Sequence, residues 1–256
     1  MSFRPCIDIH NGKVKQIVGS TLNDFGDHAI ENYVSDRDAA YYAQLYKKYN
    51  LPGGHVIILN SKDSEYYEKS RSQAIAALKA YPGGLMIGGG IDPDNAPDFL
   101  GEGASHVIVT SYIFEDGRIS FDKIRNLVSS VGEDKIVLDL SCIWSDGDYH
   151  VATNRWQTVS DEIVDEALFD KLGKYCSGFL VHAVDSEGRS SGIDEDLIRM
   201  LAASDHEICY AGGISSYNDI RRLIDIGNNK VDFTVGSRLN IFGGSLSIEE
   251  IIGCIR

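Results

Sequence analysis

Two aspartates, Asp8 and Asp139, occupy matching places in the two halves of the sequence, each in a short apolar stretch. If each stretch is a strand, each carboxylate lies at a strand end. One carboxylate can then remove a proton from a substrate while the other, kept protonated by its surroundings, donates one. Each proton transfer contributes about 10²–10⁴ in rate, or roughly 3–5 kcal/mol of barrier. The structural alternative is that each aspartate only accepts backbone N–H bonds at a turn.

Glycine-rich segments follow other apolar stretches. Gly88–Gly90 precedes a helix-like stretch near Asp94, Gly212–Gly213 precedes one near Ser216, and Gly236–Ser237 ends the last apolar stretch. Glycine lets the backbone approach a ligand closely with its amides pointing outward. A phosphate at a helix N-terminus gains amide hydrogen bonds and about 0.3–1 kcal/mol from the helix dipole. The segments therefore indicate phosphate binding, and tight turns between strand and helix are the structural alternative.

The two halves of the sequence echo each other. The segment IGGGI at 87–91 is matched by AGGI at 211–214, and VTS at 109–111 is matched by VGS at 235–237. Every matched feature, including the pair of aspartates, is displaced by four predicted strands, which indicates a twofold repeat of half-barrels of about 125 residues. Two opposed phosphate sites with two acids between them predict a long substrate that carries two phosphates.

Three further residues could contribute to such a site. His182 ends a predicted strand and could position or polarise a substrate, or it could be a hydrogen-bonded part of the scaffold. Trp156 lies in a polar stretch and could stack on a planar heterocycle, or it could only pack locally. Cys6 lies two residues before Asp8, so it shares the same face of the strand one layer deeper and is expected in the core.

These residues must be positioned by alternating strands and helices. An α/β fold is predicted, a single (β/α)₈ TIM barrel spanning residues 1–256, with catalytic residues at the carboxyl ends of its strands. An open doubly wound sheet is the alternative, but its usual Gly-x-Gly-x-x-Gly after the first strand is absent. The predicted strands are Pro5–Ile9, His55–Asn60, Leu85–Gly90, His106–Ser111, Lys135–Ser141, Gly178–Asp185, Glu207–Gly213 and Asp232–Ser237. The predicted helices are Asp36–Tyr49, Glu65–Ala80, Asp94–Leu100, Phe121–Val131, Asp161–Tyr175, Asp194–Ala203, Ser216–Ile226 and Ser247–Ile255.

Composition narrows the classes of partner. The 256 residues carry a net charge of −14, which excludes a whole-chain basic surface for nucleic acid or anionic membrane. The five cysteines are scattered without a Cys-x-x-Cys pair, as expected of free thiols in a reducing cytoplasm. No run of eighteen apolar residues is present, so no membrane span is expected. We expect a cytoplasmic monomer that acts on a small molecule.

Eight motifs together carry a resemblance to a known family. They are RPCIDIHNGKVKQIVG, IGGGI, VIVTS, KIVLDLSC, NRWQT, FLVHAVDSEGRSSGID, YAGGIS and DFTVGSRLNIFGG. The sequence resembles the phosphoribosylformimino-5-aminoimidazole carboxamide ribotide isomerases of histidine biosynthesis, most closely the form found in fungi and plants. The similarity extends from Pro5 to about Gly244, which is nearly the whole chain.

The resemblance implies a reaction and a set of roles. The family catalyses an Amadori rearrangement of an aminoaldose to an aminoketose, without a metal or an organic cofactor. Asp8 would take the C2 proton of the ring-opened Schiff base, Asp139 would help to open the ribose ring, and Trp156 would stack on the carboxamide imidazole. The loop Glu187–Gly192 would close over the second end of the substrate, with Gly192 near its phosphate. The phosphates would bind to a first cradle, Gly89, Gly90 and Ser111, and to a second cradle, Gly212, Gly213, Gly236 and Ser237.

Two positions depart from the bacterial form of the family. His182 stands where bacterial members usually have threonine, and Asp92 follows Ile91 where they usually have arginine. His182 matches the fungal and plant form, so the departures mark a branch of the family.

Three other functions are compatible with parts of the pattern. The related cyclase subunit of imidazole-glycerol-phosphate synthase usually has Ser-Gly-Gly-Ala-Gly where this chain has Ala-Gly-Gly-Ile-Ser. Phosphoribosylanthranilate isomerase uses a strand-one cysteine, but Cys6 is one layer too deep and Asp8 holds that place. A barrel that only binds a phosphorylated metabolite is the third, and it predicts binding without turnover.

Overall fold

The computed structural model describes residues 1–17, 30–153, 156–185 and 192–255. All eight predicted strands and all eight predicted helices have a counterpart there, and six further strands form. The strands are β1 (Cys6–His10), β2 (Lys13–Ile17), β3 (Glu31–Val34), β4 (Gly54–Ile58), β5 (Leu85–Gly88), β6 (Val107–Val109), β7 (Phe114–Glu115), β8 (Arg118–Ile119), β9 (Ile136–Ser145), β10 (Asp148–Thr153), β11 (Thr158–Ile163), β12 (Gly178–Ala183), β13 (Ile208–Ala211) and β14 (Asp232–Phe233). The α-helices are α1 (Ala39–Lys48), α2 (Tyr67–Ala80), α3 (Ala96–Gly101), α4 (Phe121–Val131), α5 (Glu166–Leu172), α6 (Glu195–Ala203), α7 (Tyr217–Ile226) and α8 (Ile248–Ile255).

The central sheet is mostly parallel, and its order follows the chain. Strands β1, β4, β5, β6, β9, β12, β13 and β14 are hydrogen-bonded neighbours in that order. The N-terminal residues lie beside the last of these strands. The Arg4 N–H donates to the Phe233 carbonyl oxygen over 2.9 Å, and the Phe233 N–H donates to the Ser2 carbonyl oxygen over 3.1 Å.

Apolar side chains pack on both faces of the parallel sheet, as expected for strands joined by helices. One face packs against the helices and forms the main core, which includes Ile7, Val56 and Phe179. The other face forms a smaller cluster, which consists of Met86, Ile108, Val137, Leu180, Cys209 and Ala211. Because successive side chains of a strand point to opposite faces, these short strands are apolar almost throughout.

The six additional strands are antiparallel and were not predicted. β2 pairs with β1 and β3 pairs with β2, while β7 and β8 form a separate hairpin. β9 continues to Ser145 and pairs with β10, which pairs in turn with β11. The chain turns between β9 and β10 at Asp146 and Gly147, which both have positive φ angles. The polar stretch after Asp139 is therefore a three-stranded antiparallel extension of the sheet.

The largest error in a predicted helix boundary is at the start of α5. The helix predicted from Asp161 begins at Glu166, because Thr158–Ile163 form β11 instead. The side chain of Asp165 accepts the Leu168 N–H over 2.8 Å and caps the helix, so the capping aspartate is four residues later than predicted.

The five cysteines are all free thiols. Cys254 on α8 is partly exposed, and the other four are buried. Cys6 is 5% exposed and lies below Asp8 on β1, as its spacing predicts. Among the described residues, no helix is both long enough and apolar enough to cross a membrane.

Candidate active site

A cavity of about 1140 Å³ lies at the carboxyl ends of the parallel strands. This volume is slightly above the usual range for small-molecule sites, about 300–1,000 Å³, so it suits a long ligand. All but one of the predicted site residues line it, namely Asp8, Gly89, Gly90, Ser111, Asp139, Trp156, His182, Gly212, Gly213, Gly236 and Ser237. The exception is Gly192. The structure therefore brings both aspartates and both predicted cradles into one cavity.

Two side chains contact the Asp8 carboxylate, one from β2 and one from its own strand β1. The Gln16 amide nitrogen Nε2 donates to Asp8 Oδ2 over 3.1 Å, and the Cys6 thiol lies 3.8 Å from the same oxygen. The strand does not end at Asp8, because β1 continues to His10 and pairs there with β2. The sequence did not indicate Gln16, whose contact with Asp8 depends on that antiparallel pairing.

Asp139 is buried, with 8% of its surface exposed, and is contacted from both neighbouring strands. His182 on β12 places Nδ1 2.8 Å from Asp139 Oδ1. Thr110, which follows β6, donates its hydroxyl to Asp139 Oδ2 over 3.1 Å. His182 therefore lines the cavity and also contacts the Asp139 carboxyl group directly through its imidazole ring. Thr110 was not predicted.

His55 is a second histidine of the cavity that the sequence did not single out. It is 4% exposed on β4 and lines the cavity beneath the Asp139–His182 pair. Burial, assisted by repulsion from a charged His182, lowers the pKa of His55 to about 3. The His55 ring is therefore neutral at physiological pH.

Trp156 is turned into the cavity at the start of the segment that leads to β11. Its φ angle of +67° is left-handed, which is unusual for a residue other than glycine. The indole N–H donates to Ser141 Oγ over 2.9 Å, and the indole centroid lies 6.4 Å from that of the His182 ring. Ser141 is the register partner of His182 on β9. The indole is thus anchored to the strand that carries Asp139.

The two glycine segments have the same local backbone geometry. Gly89 has a φ of +98° and Gly212 has a φ of +131°. An added Cβ would lie 1.9 Å from the Ile58 carbonyl oxygen at Gly89 and 3.0 Å from the Ala183 carbonyl oxygen at Gly212. Because both residues pass against the end of the preceding parallel strand, neither position can accept a side chain without a shift. The glycines are required at these turns whether or not a phosphate binds.

The residues just before α3 and α7 have N–H groups that are already bonded. Asp92 accepts the N–H groups of Asp94 and Asn95 over 3.1 and 3.2 Å, and Asp219 accepts the Ser216 N–H over 2.9 Å. Each carboxylate also adds negative charge to the start of its helix.

Each cradle has a cationic residue beside it. Lys62 forms an ion pair with Asp92, and its Cε would lie 3.5 Å from a Cβ added to Gly90. Arg238 follows Ser237 and lines the same cavity. Neither cation was predicted, because each is a single basic residue in an otherwise ordinary loop.

Gly192 lies near the start of α7, where an added Cβ would be 3.7 Å from Asp219 Oδ1. The rest of the predicted closing loop, residues 187–191, lies outside the described residues. Within the part of the chain that the structure describes, no group of three or more potential ligands (His, Cys, Asp or Glu) could hold a metal ion.

Comparison with known proteins gives one consistent answer. The profile of a family described as histidine biosynthesis protein matches residues 3–241. A Medicago truncatula relative is 47% identical over 257 residues, covering 98% of this chain and 81% of the relative. Relatives from Candida albicans and Neurospora crassa are 42% and 41% identical, covering 95% and 98% of this chain and 93% and 96% of their own. All three are named 1-(5-phosphoribosyl)-5-((5-phosphoribosylamino)methylideneamino) imidazole-4-carboxamide isomerase, and the Medicago name adds that it is chloroplastic.

Proposed function

The chain belongs to the histidine biosynthesis protein family, and on that premise we propose how its cavity performs an isomerisation. It is an isomerase of histidine biosynthesis, like the relatives whose names give a substrate with two phosphoribosyl groups. The observation that carries the proposal is the placement of Asp8 and Asp139 in one cavity with two glycine segments of matching backbone geometry. The reaction is the Amadori rearrangement of an aminoaldose to an aminoketose.

The first step is ring opening of the ribose at Asp139. The Asp139–His182 pair donates a proton to the ring oxygen, the C1–O bond breaks, and the nitrogen lone pair forms a protonated Schiff base. The contact with His182 and the hydrogen bond from Thr110 hold the Asp139 carboxyl group in one orientation for proton transfer to the ring oxygen.

The second step is proton removal at Asp8. Its carboxylate takes the proton from C2, and the electron pair of that C–H bond moves to neutralise the iminium nitrogen, which gives an enaminol. The C2 hydroxyl then loses a proton while C1 gains one, and the aminoketose results. A general base held in place contributes about 10²–10⁴ in rate.

The ends of the substrate are held by the two cradles. Gly89, Gly90 and Ser111 bind one phosphate beside Lys62, and the second cradle binds the other beside Arg238. Trp156 stacks on the carboxamide imidazole, since its indole is held in the cavity by Ser141. Gly192 and its loop close over the second phosphate.

A closed (β/α)₈ barrel with a half-barrel repeat, forming one domain over residues 1–256, is part of this proposal. The hydrogen bonds that join residues 2–4 to Phe233 of β14 support closure between the last strand and the first. The positive φ angles at both glycines of each segment, Gly89 and Gly90 in the first and Gly212 and Gly213 in the second, support the repeat.

The proposal extends to partners and location. We expect a monomer that uses no cofactor and binds neither nucleic acid nor membrane, in agreement with its net charge of −14. A cytoplasmic location is supported by the five free thiols. The chloroplastic relative makes a plastid the alternative reducing compartment.

The test is turnover of the aminoaldose bisphosphate by the purified chain, with no metal, cofactor or partner added. Wild type should form the aminoketose, and Asp8→Asn should bind the substrate with a similar Kd but lose turnover. Binding without conversion by wild type would support a metabolite-binding protein instead. No binding at all would overturn the assignment of the two cradles.

A further inference from the structure

We infer that Gln16 is a positioning residue for the reaction, because its side-chain amide connects the base Asp8 to Gly236 of the second cradle. The inference rests on the proposed function, since it concerns how the base is oriented for proton removal. Gln16 does not touch the reacting atoms in this proposal and acts through Asp8.

The first observation is the contact with the base. Gln16 is 4% exposed on β2, and its Nε2 donates to Asp8 Oδ2 over 3.1 Å. The opposite orientation of the amide would place an oxygen against the carboxylate, which is repulsive, so the NH₂ group must face Asp8. A charged carboxylate gains more from such a donor than a neutral acceptor does. The bond therefore holds Asp8 in one rotamer.

The second observation is the contact at the other end of the amide. A Cβ added to Gly236 would lie 2.8 Å from Gln16 Oε1, which is closer than real Cβ atoms approach. Only glycine at 236 leaves room for Gln16 in its present position. The cradle backbone and the Gln16 amide are thus packed directly against each other.

The third observation is the local geometry of β2. The pairing of β2 with β3 shifts register between Gln16 and Ile17, as at a β-bulge. A bulge commonly re-aims a side chain near an active site. Here the irregularity falls at the residue whose amide reaches the base.

Together these contacts make a short connection from one end of the substrate to its reacting centre. A phosphate bound at Gly236 holds that loop in place and so limits the positions that the Gln16 amide can take. The amide in turn holds the Asp8 carboxylate in its orientation. Binding energy from the distant phosphate is then used to orient the base, so removing the amide should lower kcat more than it raises KM.

The neighbouring residue on β2 supplies a matched control. Lys15 is similarly buried, at 6% exposed, but its ammonium pairs with Glu31. Lys15→Met therefore removes a buried polar interaction from the same strand without touching the Asp8–Gln16 contact.

The experiment compares steady-state kinetics of wild type, Gln16→Met, Gln16→Glu and Lys15→Met on the aminoaldose bisphosphate and on substrate deuterated at C2. Gln16→Met should lower kcat by about tenfold to a hundredfold, with KM changed less than about threefold. Its deuterium isotope effect on kcat should rise, because proton removal becomes slower than the other steps. Lys15→Met should leave the isotope effect at the wild-type value.

Gln16→Glu keeps the size of the side chain and guards against loss of folding. A residue that only fills space predicts wild-type kcat for this variant, whereas a positioning residue predicts a lower kcat, because a second carboxyl faces Asp8. If both Gln16 variants fold and keep the wild-type kcat and isotope effect, the inference is overturned while the proposed function stands. If wild type itself fails to convert the substrate, the proposed function fails instead.

Discussion

The carboxylates of Asp8 and Asp139 are held in different ways. Asp8 receives a side-chain amide and lies beside a thiol, whereas Asp139 receives a hydroxyl and faces an imidazole. An acid beside an imidazole can share its proton and release it toward a substrate. The difference in partners agrees with the different roles proposed for the two residues.

Asp139→Asn should lower kcat by about 10²–10⁴ and leave the substrate Kd within about threefold, because the amide cannot supply the proton that opens the ring. Steady-state kinetics and equilibrium binding would measure both quantities.

The matched control is Asp170→Asn. Asp170 also forms an aspartate–histidine contact, with Oδ1 3.0 Å from His206 Nε2, but it lies outside the cavity. That variant should retain the wild-type kcat. An equal loss in the two variants would contradict a role for Asp139 in the chemical step.

His55 makes the stability of the chain depend on pH. Burial lowers the pKa of His55 to about 3 in the folded chain, while the unfolded imidazole has its ordinary value of 6.5. Below pH 6.5 the unfolded chain therefore takes up a proton that the folded chain does not. The free energy of unfolding is therefore undiminished by His55 above pH 6.5. As the pH falls from 6.5 toward 3, it decreases by up to about 1.4 kcal/mol per pH unit.

Wild type should thus lose about 2 kcal/mol more free energy of unfolding than His55→Gln between pH 6.5 and pH 5, as measured by urea denaturation. Parallel pH dependences for wild type and His55→Gln would disprove the buried neutral histidine.

Residue types could be predicted at this scale, but their contacts could not. Asp8 and Asp139 were found because a carboxylate in a short apolar stretch is a strong local signal. Gln16 and Thr110 gave no such signal, since each reaches its aspartate only through the pairing of neighbouring strands.

At the scale of elements, the extension formed by β9, β10 and β11 is what brings Trp156 to the cavity. Trp156 adopts a left-handed backbone conformation, which costs roughly 1–2 kcal/mol for an L-residue. The hydrogen bond to Ser141 holds the indole in place despite this cost. The extension therefore provides a preformed side of the cavity, on which a planar ligand can stack against the Trp156 indole.

Ser141→Ala should raise KM about fivefold with little change in kcat, because one hydrogen bond of about 1 kcal/mol no longer holds the indole. In a Trp144→Phe background, Trp156 is the one remaining tryptophan. Its fluorescence should then show a more mobile indole in the absence of substrate.

Ser145→Ala is the control for this prediction, since Ser145 lies on the same strand but bonds only to the exposed Asp146 in the described contacts. It should keep the wild-type KM and anisotropy. Identical KM values for the Ser141 and Ser145 variants would remove Ser141 from substrate binding.

The parallel strands were predictable because their apolar residues are continuous, but the extension was not. Thr158–Ile163 is mostly polar, and only Ser160 in it is buried, so it carries no apolar pattern that distinguishes a strand from a helix start. Asp161 was therefore interpreted as a helix cap, whereas the cap is Asp165.

At the scale of the whole molecule, the proposed repeat predicts two anion sites that work separately. Wild type should bind two inorganic phosphates per chain, as measured by phosphorus NMR titration. Ser111→Asp and Ser237→Asp should each bind one, because a carboxylate in either cradle repels phosphate there and leaves the other cradle intact. Each variant should also raise KM for the bisphosphate.

Ser129→Asp, on the exposed surface of α4, should still bind two phosphates. A single variant that abolishes both sites would mean that the cradles are coupled or that only one exists. Coupled cradles would show that the two halves do not bind phosphate independently. A single cradle would contradict the proposed repeat.

The burial of most of the thiols allows the protein to be labelled with a dye at one native cysteine. Burial raises the pKa of Cys176 and Cys209 to about 12 and also raises that of Cys142, so these sulfurs are almost never thiolates at neutral pH. Only the thiolate attacks a maleimide. Cys6 is also buried, at 5% exposed, so Cys254, the one partly exposed thiol, is a native attachment point for a single dye on the last helix. In the Trp144→Phe background, a fluorophore there would report energy transfer from Trp156 during turnover without any introduced cysteine.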